Sequence, residues 1–247
     1  MHDDNRPTVL SYGGGVNSTA ILALCKLGKL PWPDYIVFSD TGAEWPHTYK
    51  YLEYIDAELE KDGQFLTYLT GGFLPQKHDY GFMTLIEFCQ LKRFIPSRMN
   101  RWCTDYWKRT PVQKFTRAVD GHEWIGIDAG EARRAENKPT KRFPLIELGI
   151  NRERCKEIIK SVGWGVPKKS GCFICPYQGK SQWAELKREY PDLWKIAVDL
   201  EKKSMSEHAG FTFKYEKSIE QYIGDSDKQE NLPFGKVLDQ KCDCYFD

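Results

Sequence analysis

Three consecutive glycines, Gly13 to Gly15, constrain this 247-residue chain more than any other feature. They follow a short β-prone run, Thr8 to Ser11, and precede a segment from Thr19 to Leu27 whose apolar residues recur at helical spacing. A strand, a glycine turn and a helix in this order gather main-chain N–H groups at a positive helix end, which favours an anion such as phosphate. Ser18 and Thr19 add hydroxyl groups there. Local spacing alone also fits a tight glycine turn with a serine N-cap.

The alternation of strands and helices continues after this first unit. Tyr35 to Ser39 and Gln64 to Leu69 are predicted strands, separated by a helix that opens at Trp45-Pro46 and ends before Gly63. Further helices are expected at Thr84 to Leu91, at Pro111 to Val119, from an Asn151 cap to Val162, and over most of Gln178 to Met205, with a further strand at Glu123 to Ile127. Parallel neighbours need crossover connections, so this order predicts an α/β fold, a parallel twisted sheet with helices on both faces. We expect a nucleotide-binding domain at 1–177 and a mostly helical C-terminal extension with a tail at 178–247.

Composition narrows the class of protein further. A hydrophobic fraction of 40% and a charged fraction of 29% are typical of a globular protein, and no stretch approaches the ~20 apolar residues of a membrane span. The N-terminus lacks the pattern of a secretory signal, so a cytoplasmic location is expected. In that compartment the eight cysteines are more typical of metal-binding or catalytic thiols than of disulfides. A net charge of +1 gives no global attraction to nucleic acid.

The glycine loop fits neither G-x-x-x-x-G-K-S/T nor G-x-G-x-x-G, which disfavours a P-loop kinase and a Rossmann dehydrogenase. Gly13 to Thr19 instead resembles the S-G-G-x-D-S-T pyrophosphate loop of the PP-loop superfamily, whose fold is called adenine nucleotide α-hydrolase-like. Gly13 stands where the family has serine. Asn17 stands where it has aspartate, and therefore brings no negative charge.

Four more segments, in order, resemble the phosphoadenosine phosphosulfate (PAPS) reductase family. Phe38 to Gly42, followed by Glu44, resembles its D-T-G segment beside the nucleotide. Trp102-Cys103-Thr104 with Lys108 and Pro111 resembles its C-x-x-x-x-K-x-x-P segment. Gly126 to Arg134 is similar to its G-x-x-x-x-E-x-x-R element, and Phe143 to Ile146 to the hydrophobic strand after it. Taken singly, these matches also fit a turn or a solvated charged face.

The resemblance implies a set of site residues. The expected nucleotide-binding residues are Ser11, Tyr12, Gly13, Gly14, Gly15, Asn17, Ser18, Thr19, Phe38, Asp40, Thr41, Gly42, Gly126, Asp128 and Glu131. The expected catalytic residues are Ser18, Lys108, Arg133 and Arg134. Mg²⁺ is expected to bridge the ATP phosphates, with Asp40 as a helper.

Cys172 and Cys175 have the C-x-x-C spacing that lets two thiols reach one metal atom or cluster from a turn. In relatives of PAPS reductase that carry a cluster, such a pair joins a cysteine of the segment matching Cys103, so the resemblance implies Cys103, Cys172 and Cys175 as ligands. A 4Fe-4S cluster, a zinc ion and unmetallated thiols remain open. Cys242 or Cys244 of the tail would complete a four-cysteine site, or one iron would stay open for a sulfur ligand. Cys25, Cys89 and Cys155 lie in helical patterns and are expected in the core.

A basic stretch interleaved with aromatic residues offers a nucleic-acid surface or, alternatively, ATP contacts and core packing. Its members are Lys92, Arg93, Phe94, Arg98, Arg101, Trp102, Tyr106, Trp107, Lys108, Arg109, Lys114 and Arg117.

The resemblance implies an ATP pyrophosphatase that adenylylates an acceptor for sulfur transfer, with adenine nucleotide, a cysteine desulfurase and DNA or RNA as expected partners and no membrane. DNA phosphorothioation is one such system. A reductase of PAPS or adenylyl sulfate, with a tail cysteine as nucleophile, is the alternative within the same fold. A non-catalytic nucleotide-binding subunit is the alternative from another class.

Overall fold

The computed structural model describes residues 6–71, 83–99, 101–135, 138–208, 211–214 and 217–224. Cys242 and Cys244, and with them the predictions for the tail, lie outside the described residues.

Five parallel strands form one sheet in the order β3-β2-β1-β4-β5. The strands are β1 (Thr8–Ser11), β2 (Tyr35–Asp40), β3 (Leu66–Thr70), β4 (His122–Ile125) and β5 (Lys141–Arg142). The helices are α1 (Val16–Lys26), α2 (Pro46–Glu60), α3 (Leu85–Lys92), α4 (Trp102–Thr104), α5 (Thr110–Ala118), α6 (Pro144–Glu147), α7 (Arg152–Ser161), α8 (Lys180–Glu189), α9 (Pro191–Glu207) and α10 (Ile219–Gly224). A π-helical turn, Asp105–Arg109, joins α4 to α5, and a 3₁₀ segment, Ala129–Arg134, follows β4.

Alternating side chains of the strands pack against helices on the two faces of the sheet. Leu10 and Ile36 join a core with α1, α2 and α7, whereas Val9 and Val37 pack with Val112 of α5. The predicted α/β fold, a parallel sheet with helices on both faces, is therefore confirmed.

Strand order places the ligand-binding edge of the sheet. From the central β1 the chain proceeds to β2 and β3 on one side, and later to β4 and β5 on the other. The order thus reverses between β1 and β4. In open parallel sheets, ligands bind at this point, outside the carboxyl ends of the strands.

Helix starts follow from local side-chain chemistry. Asn151 accepts a hydrogen bond from the Arg154 N–H at 2.9 Å, which confirms the predicted cap of α7. Thr84 and Glu87 form a capping box at α3. Pro46 lies in the first turn of α2, where a missing N–H costs nothing.

The predicted strand at Phe143 to Ile146 is wrong. Residues Pro144–Glu147 form the short helix α6, and the edge strand β5 ends just before it at Arg142. Proline is favoured in the first helical turn because its fixed φ suits a helix, so Pro144 ends the extended segment.

A second core, rich in aromatic side chains, lies beside the sheet. Trp107 and Trp183 are fully buried in it, and Cys172 and residues of α3 and α9 pack with them. It therefore unites segments on both sides of residue 178, and the C-terminal helices share it with the loop that carries the C-x-x-C pair.

Among the described residues, no helix combines the length and the apolar character that crossing a membrane requires.

Candidate functional site

The glycine loop runs directly from β1 into α1. Gly14 has a positive φ of 65°, a conformation that glycine adopts without the strain a side chain would bring. Gly15 is the N-cap residue of α1 and offers no side-chain bond to the first turn. The start of the helix therefore faces the carboxyl edge of the sheet without a side-chain cap, as an anion site requires.

Two hydroxyl groups fix the shape of this loop. The Ser18 hydroxyl accepts from the Gly13 N–H and donates to the Gly15 carbonyl, both at 3.3 Å. Behind the loop, the Tyr12 and Thr19 hydroxyls lie 3.1 Å apart. Burial raises the pKa of Tyr12 well above its usual value, so this phenol stays neutral and anchors the loop.

Gly126, just after β4, lies against the first turn of α1. A Cβ atom there would lie 2.8 Å from the Ser18 nitrogen and 3.1 Å from its Cα. Real Cβ atoms do not approach a backbone nitrogen so closely. Glycine at this position lets the loop after β4 close against the helix start.

Asn17 makes a pair with a carboxylate from the far side of the cleft. Its Nδ2 donates to Asp128 at 3.0 Å, and the other oxygen of that carboxylate accepts from the Gly130 N–H at 2.9 Å. The Asn17 Oδ1 atom is buried and has no hydrogen-bond partner in the structure. An aspartate at position 17 would face Asp128 as a like charge. With asparagine here, Asp128 carries the only negative charge of this pair, at the N-cap of the 3₁₀ segment.

These parts border a cleft of about 660 Å³. Its floor is formed by the ends of β1, β2 and β4, at Ser11, Ser39 and Ile125. The opposite wall is the loop 166–171 with the first turn of α7. A cleft at the switch point of a parallel sheet is the expected place for a nucleotide.

Positive charge exceeds negative charge around the cleft. Five cationic side chains line it against three carboxylates. The cations are Lys108, Arg134, Arg152, Lys156 and Lys169. Arg134 is paired with Glu131 at 2.7 Å, and Lys156 with Glu153 at 2.8 Å. The surplus favours an anionic ligand.

Most of the predicted nucleotide-binding residues line the cleft, and some do not. Those at the cleft are Ser11, Tyr12, Gly13, Gly15, Asn17, Ser18, Phe38, Gly126, Asp128 and Glu131. Gly14 and Thr19 are buried in the loop behind its surface. Asp40, Thr41 and Gly42 do not line it, and the Asp40 carboxylate accepts from the Tyr49 hydroxyl at 2.7 Å and the Gly42 N–H at 2.8 Å.

The four predicted catalytic residues divide in the same way. Ser18, Lys108 and Arg134 line the cleft, whereas Arg133 is exposed and does not. Lys108 projects from the π-helical turn, a feature often found at functional sites. That turn is fixed by the Ser39 hydroxyl, which donates to the Trp107 carbonyl at 2.7 Å, and by the buried Trp107 ring.

A second, smaller cavity of about 30 Å³ lies next to the cleft. All three predicted metal ligands, Cys103, Cys172 and Cys175, line it, although they come from segments about 70 residues apart. Lys108 lines both this thiol cavity and the cleft. Its ammonium lies 2.9 Å from Glu44 Oε1.

Burial controls the charge of these thiols. It raises the pKa of Cys103 to about 12 and raises the pKa values of Cys172 and Cys175, and the nearby Lys108 cation offsets only part of this effect. The three groups are therefore neutral thiols near pH 7.

The positions of the three cysteine side chains show whether they could bind a metal ion together. Among the described residues, no group of three or more histidine, cysteine, aspartate or glutamate side chains is arranged so that it could hold a metal ion. The donor chemistry suits iron or zinc, but the arrangement does not fit as it stands. Cys25, Cys89 and Cys155 are buried in the cores, as expected.

The stacking surface expected of the basic, aromatic stretch is not formed by its tryptophans. Trp102 is 8% exposed and Trp107 is fully buried, and both rings pack against Phe88. Phe94 stacks on Phe211 instead of facing solvent. Core packing, the alternative interpretation, accounts for these rings because they are part of the second core.

The sequence interpretation missed two residues at the site, Glu44 beside Lys108 and Ser170 at the cleft. Glu44 was noted only as part of a motif, yet its buried carboxylate contacts Lys108, Thr41 and Cys172. Ser170 lies over the loop, 3.0 Å from where a Cβ of Gly15 would be. An acidic residue just after the motif at the end of β2 could have identified Glu44 as a site residue. No local sequence pattern identifies Ser170.

Comparisons with known proteins give limited further information. No protein-family model matches the chain. It is 28% identical over 214 residues to an uncharacterized protein of Methanocaldococcus jannaschii, covering 77% of this chain and 40% of that one. It is 32% identical over 164 residues to an uncharacterized nin region protein of Escherichia phage lambda, covering 57% of this chain and 54% of that one. The chain thus spans about half or less of the length of these relatives.

Among solved structures, the chain is similar to the U34-tRNA thiolase NcsA from Methanococcus maripaludis, a structure that contains a 4Fe-4S cluster. The two share 13% sequence identity, with a TM-score of 0.41, over 95% of this chain and 84% of the other. A likeness at this level supports no statement about activity.

Proposed function

We propose that this chain is a PP-loop ATP pyrophosphatase that activates an acceptor for sulfur transfer. The observation that carries the proposal is the glycine loop, whose helix start faces a surplus of cations across a cleft at the switch point of the sheet. Such a site offers main-chain N–H groups and fixed positive charges to a chain of phosphates. The ordered motif resemblance supports adenine nucleotide as the ligand.

In the proposed reaction, ATP is cleaved between its α and β phosphates. An acceptor oxygen attacks the α phosphorus and pyrophosphate leaves, so that AMP becomes attached to the acceptor. Gly15, Ser18 and the main-chain N–H groups of the first turn of α1 would hold the pyrophosphate, while Lys108 and Arg134 offset the charge that develops on it. A sulfur nucleophile then displaces AMP. Mg²⁺ would supply charge neutralisation at the phosphates.

The acceptor and the sulfur donor are proposed at a coarser level. A DNA backbone phosphate or an RNA base would serve as acceptor, and a cysteine desulfurase as donor. The thiol cavity supports sulfur chemistry because it lies next to the cleft and shares Lys108 with it. Whether iron or zinc binds Cys103, Cys172 and Cys175 is a separate prediction, to be tested by metal analysis of anaerobically purified protein.

The test compares products from two nucleotides. The purified protein is incubated with ATP and Mg²⁺ and assayed for pyrophosphate, then with PAPS and a thiol donor and assayed for sulfite. Release of pyrophosphate supports the proposal, and release of sulfite supports a reductase. If neither product forms, the result supports a non-catalytic binding subunit.

Two matched variants locate the activity in the cleft. Lys108→Met removes a cation from the cleft and should lower pyrophosphate release about 100-fold or more, as expected for a charge that stabilises a transition state. Lys156→Met removes a cation from the rim that is already paired with Glu153, and should cost less than about tenfold. Equal losses in the two variants would contradict the proposed role of Lys108.

A further inference from the structure

Lys108 lies at the junction between the two cavities. It lines the cleft that faces the glycine loop and also the thiol cavity behind it. Its positive charge acts on Cys103, Cys172 and Cys175 alike. Where this ammonium lies therefore affects both the phosphate site and access to the thiols.

Glu44 fixes the position that Lys108 adopts in this structure. The Glu44 side chain is 1% exposed, and its Oε1 accepts from the Lys108 ammonium at 2.9 Å and from the Thr41 hydroxyl at 3.0 Å. The Cys172 sulfur lies 3.5 Å from the same oxygen. One carboxylate oxygen thus joins the cation of the cleft to a thiol of the cavity.

The Glu44 carboxylate is fixed by the backbone around it, whereas the Lys108 side chain is partly exposed. Glu44 pairs with Cys172 in a β-bridge, flanked by hydrogen bonds from the Trp45 N–H to the Gly171 carbonyl at 3.0 Å and from the Phe173 N–H to the Ala43 carbonyl at 2.8 Å. The Lys108 side chain is 25% exposed and has a flexible four-carbon stem. A competing anion in the cleft would move the lysine and leave Glu44 in place.

A triphosphate is such an anion. It carries more negative charge than one carboxylate and would lie on the cleft side of Lys108, close to the other cations. The Glu44 carboxylate and the phosphates would then share the same ammonium group.

We propose that Glu44 is a positioning residue that holds Lys108 between the cleft and the thiol cavity, and that nucleotide phosphates compete for Lys108 and thereby open the cavity. The proposal rests on the proposed function for its choice of nucleotide. Two sites that compete for one group are coupled, and coupling free energies in proteins correspond to about 5-fold to 150-fold changes in affinity.

The test measures access to the thiols with and without nucleotide. Labelling of Cys103, Cys172 and Cys175 with an organomercurial, which binds thiols without requiring prior ionisation, is followed by peptide mass spectrometry, with buried Cys25 as internal reference; for protein that contains metal, its loss to a chelator replaces labelling. ATP binding is measured on the same samples by calorimetry. ATP should raise the labelling rate of the cavity thiols about fivefold or more and leave Cys25 unchanged.

Variants separate Glu44 from Lys108. Glu44→Gln removes the ion pair with Lys108, so labelling should be fast without ATP, ATP should add little, and ATP affinity should rise about fivefold. Lys108→Met should also label fast without ATP but bind ATP about tenfold more weakly or worse. Glu157→Gln, which breaks an exposed ion pair with Arg154 on α7, is the matched control and should behave as the original protein. Thermal unfolding of each variant checks that the fold is retained.

Each outcome decides the proposal. ATP that binds without changing thiol labelling would overturn it, as would a Glu44→Gln variant that labels slowly or binds ATP more weakly. If the original protein binds no ATP, the proposed function fails, and the comparison of labelling without nucleotide still tests Glu44. Fast labelling in Glu44→Gln and Lys108→Met then supports the positioning role, and equal labelling refutes it.

Discussion

The cleft lies at the carboxyl edge of the sheet and is lined by main-chain N–H groups and charged side chains, whereas the thiol cavity lies beside it against the aromatic core. The cleft is about 660 Å³ and open to ions, and the cavity is about 30 Å³. Side chains in the cleft stay charged because water and opposite charges are close to them. In the second, burial keeps the thiols neutral.

The comparison shows how one lysine serves two environments. Lys108 keeps its ammonium partly exposed at the cleft while Glu44 draws it towards the cavity. The two regions should therefore respond differently to changes that reach only one of them. Three substitutions test this separation, and the first is expected to have the largest effect.

Gly126→Ala should damage the cleft alone. The added Cβ would meet the Ser18 backbone at 2.8 Å, and a backbone cannot move aside without displacing the start of α1. We expect the affinity for ATP, measured by calorimetry, to fall about tenfold or more and the free energy of unfolding to fall by about 1–3 kcal/mol. Labelling of the cavity thiols without nucleotide should not change.

Gly165→Ala is the control for this substitution. No heavy atom lies within 4 Å of where its Cβ would be, so both affinity and stability should be retained. If the Gly126→Ala variant binds ATP normally, the close approach of Gly126 to the start of α1 is not required for ATP binding.

Asn17→Asp should make the cleft sensitive to pH. The new carboxyl group would lie where an amide now donates to Asp128 at 3.0 Å, and this neighbouring negative charge would raise the pKa of the new group in the folded state. A raised folded-state pKa means that stability is retained below about pH 4 and lost as pH rises through the raised value. We expect a loss of about 1–3 kcal/mol at neutral pH, measured by urea unfolding from pH 4 to 8.

Asn151→Asp provides the matched control. The same substitution at the N-cap of α7 places a carboxylate at a positive helix end, where it is favoured. Its stability relative to the original protein should not fall with pH. A flat pH profile for Asn17→Asp as well would mean that the two side chains separate freely.

Glu201→Gln should affect the thiol cavity and should have the smallest effect of the three substitutions. Glu201 is buried on α9 and accepts from the Phe213 N–H at 3.0 Å and the Ile219 N–H at 2.8 Å. Next to Phe213, Lys214 donates to the Pro176 carbonyl at 2.8 Å and so supports the loop that carries Cys175. Losing one of the buried bonds should cost about 1–2 kcal/mol and speed labelling of Cys175, with ATP affinity unchanged.

This loss should itself depend on pH. Burial raises the pKa of Glu201 above its usual 4.5, so stability from this group is full below that value and declines as pH rises through the raised pKa. The difference in free energy of unfolding between the original protein and Glu201→Gln should therefore narrow from pH 4 upwards. Glu207→Gln, an exposed position on the same helix, should show neither the loss nor the trend.

Local patterns predicted several elements well. The strand before the glycines, the strand at Tyr35 and the Asn151 cap were all recovered, because each depends on neighbours in sequence. The strand that the family resemblance implied at Phe143 to Ile146 is wrong, because here Pro144 begins a short helix. For the tryptophans of the basic stretch, core packing was the correct interpretation and a stacking surface for nucleic acid was not.

By itself, the sequence determined the glycine loop between β1 and α1 and the parallel sheet, since glycine geometry and the alternation of strands with crossover helices act over short distances. Only the tertiary structure decided that Asp128 pairs with Asn17, that Cys103 lies at one cavity with Cys172 and Cys175, and that Glu44 holds Lys108. These contacts join residues far apart in the chain. Their partners are chosen by how the sheet and the second core pack together, which no local pattern records.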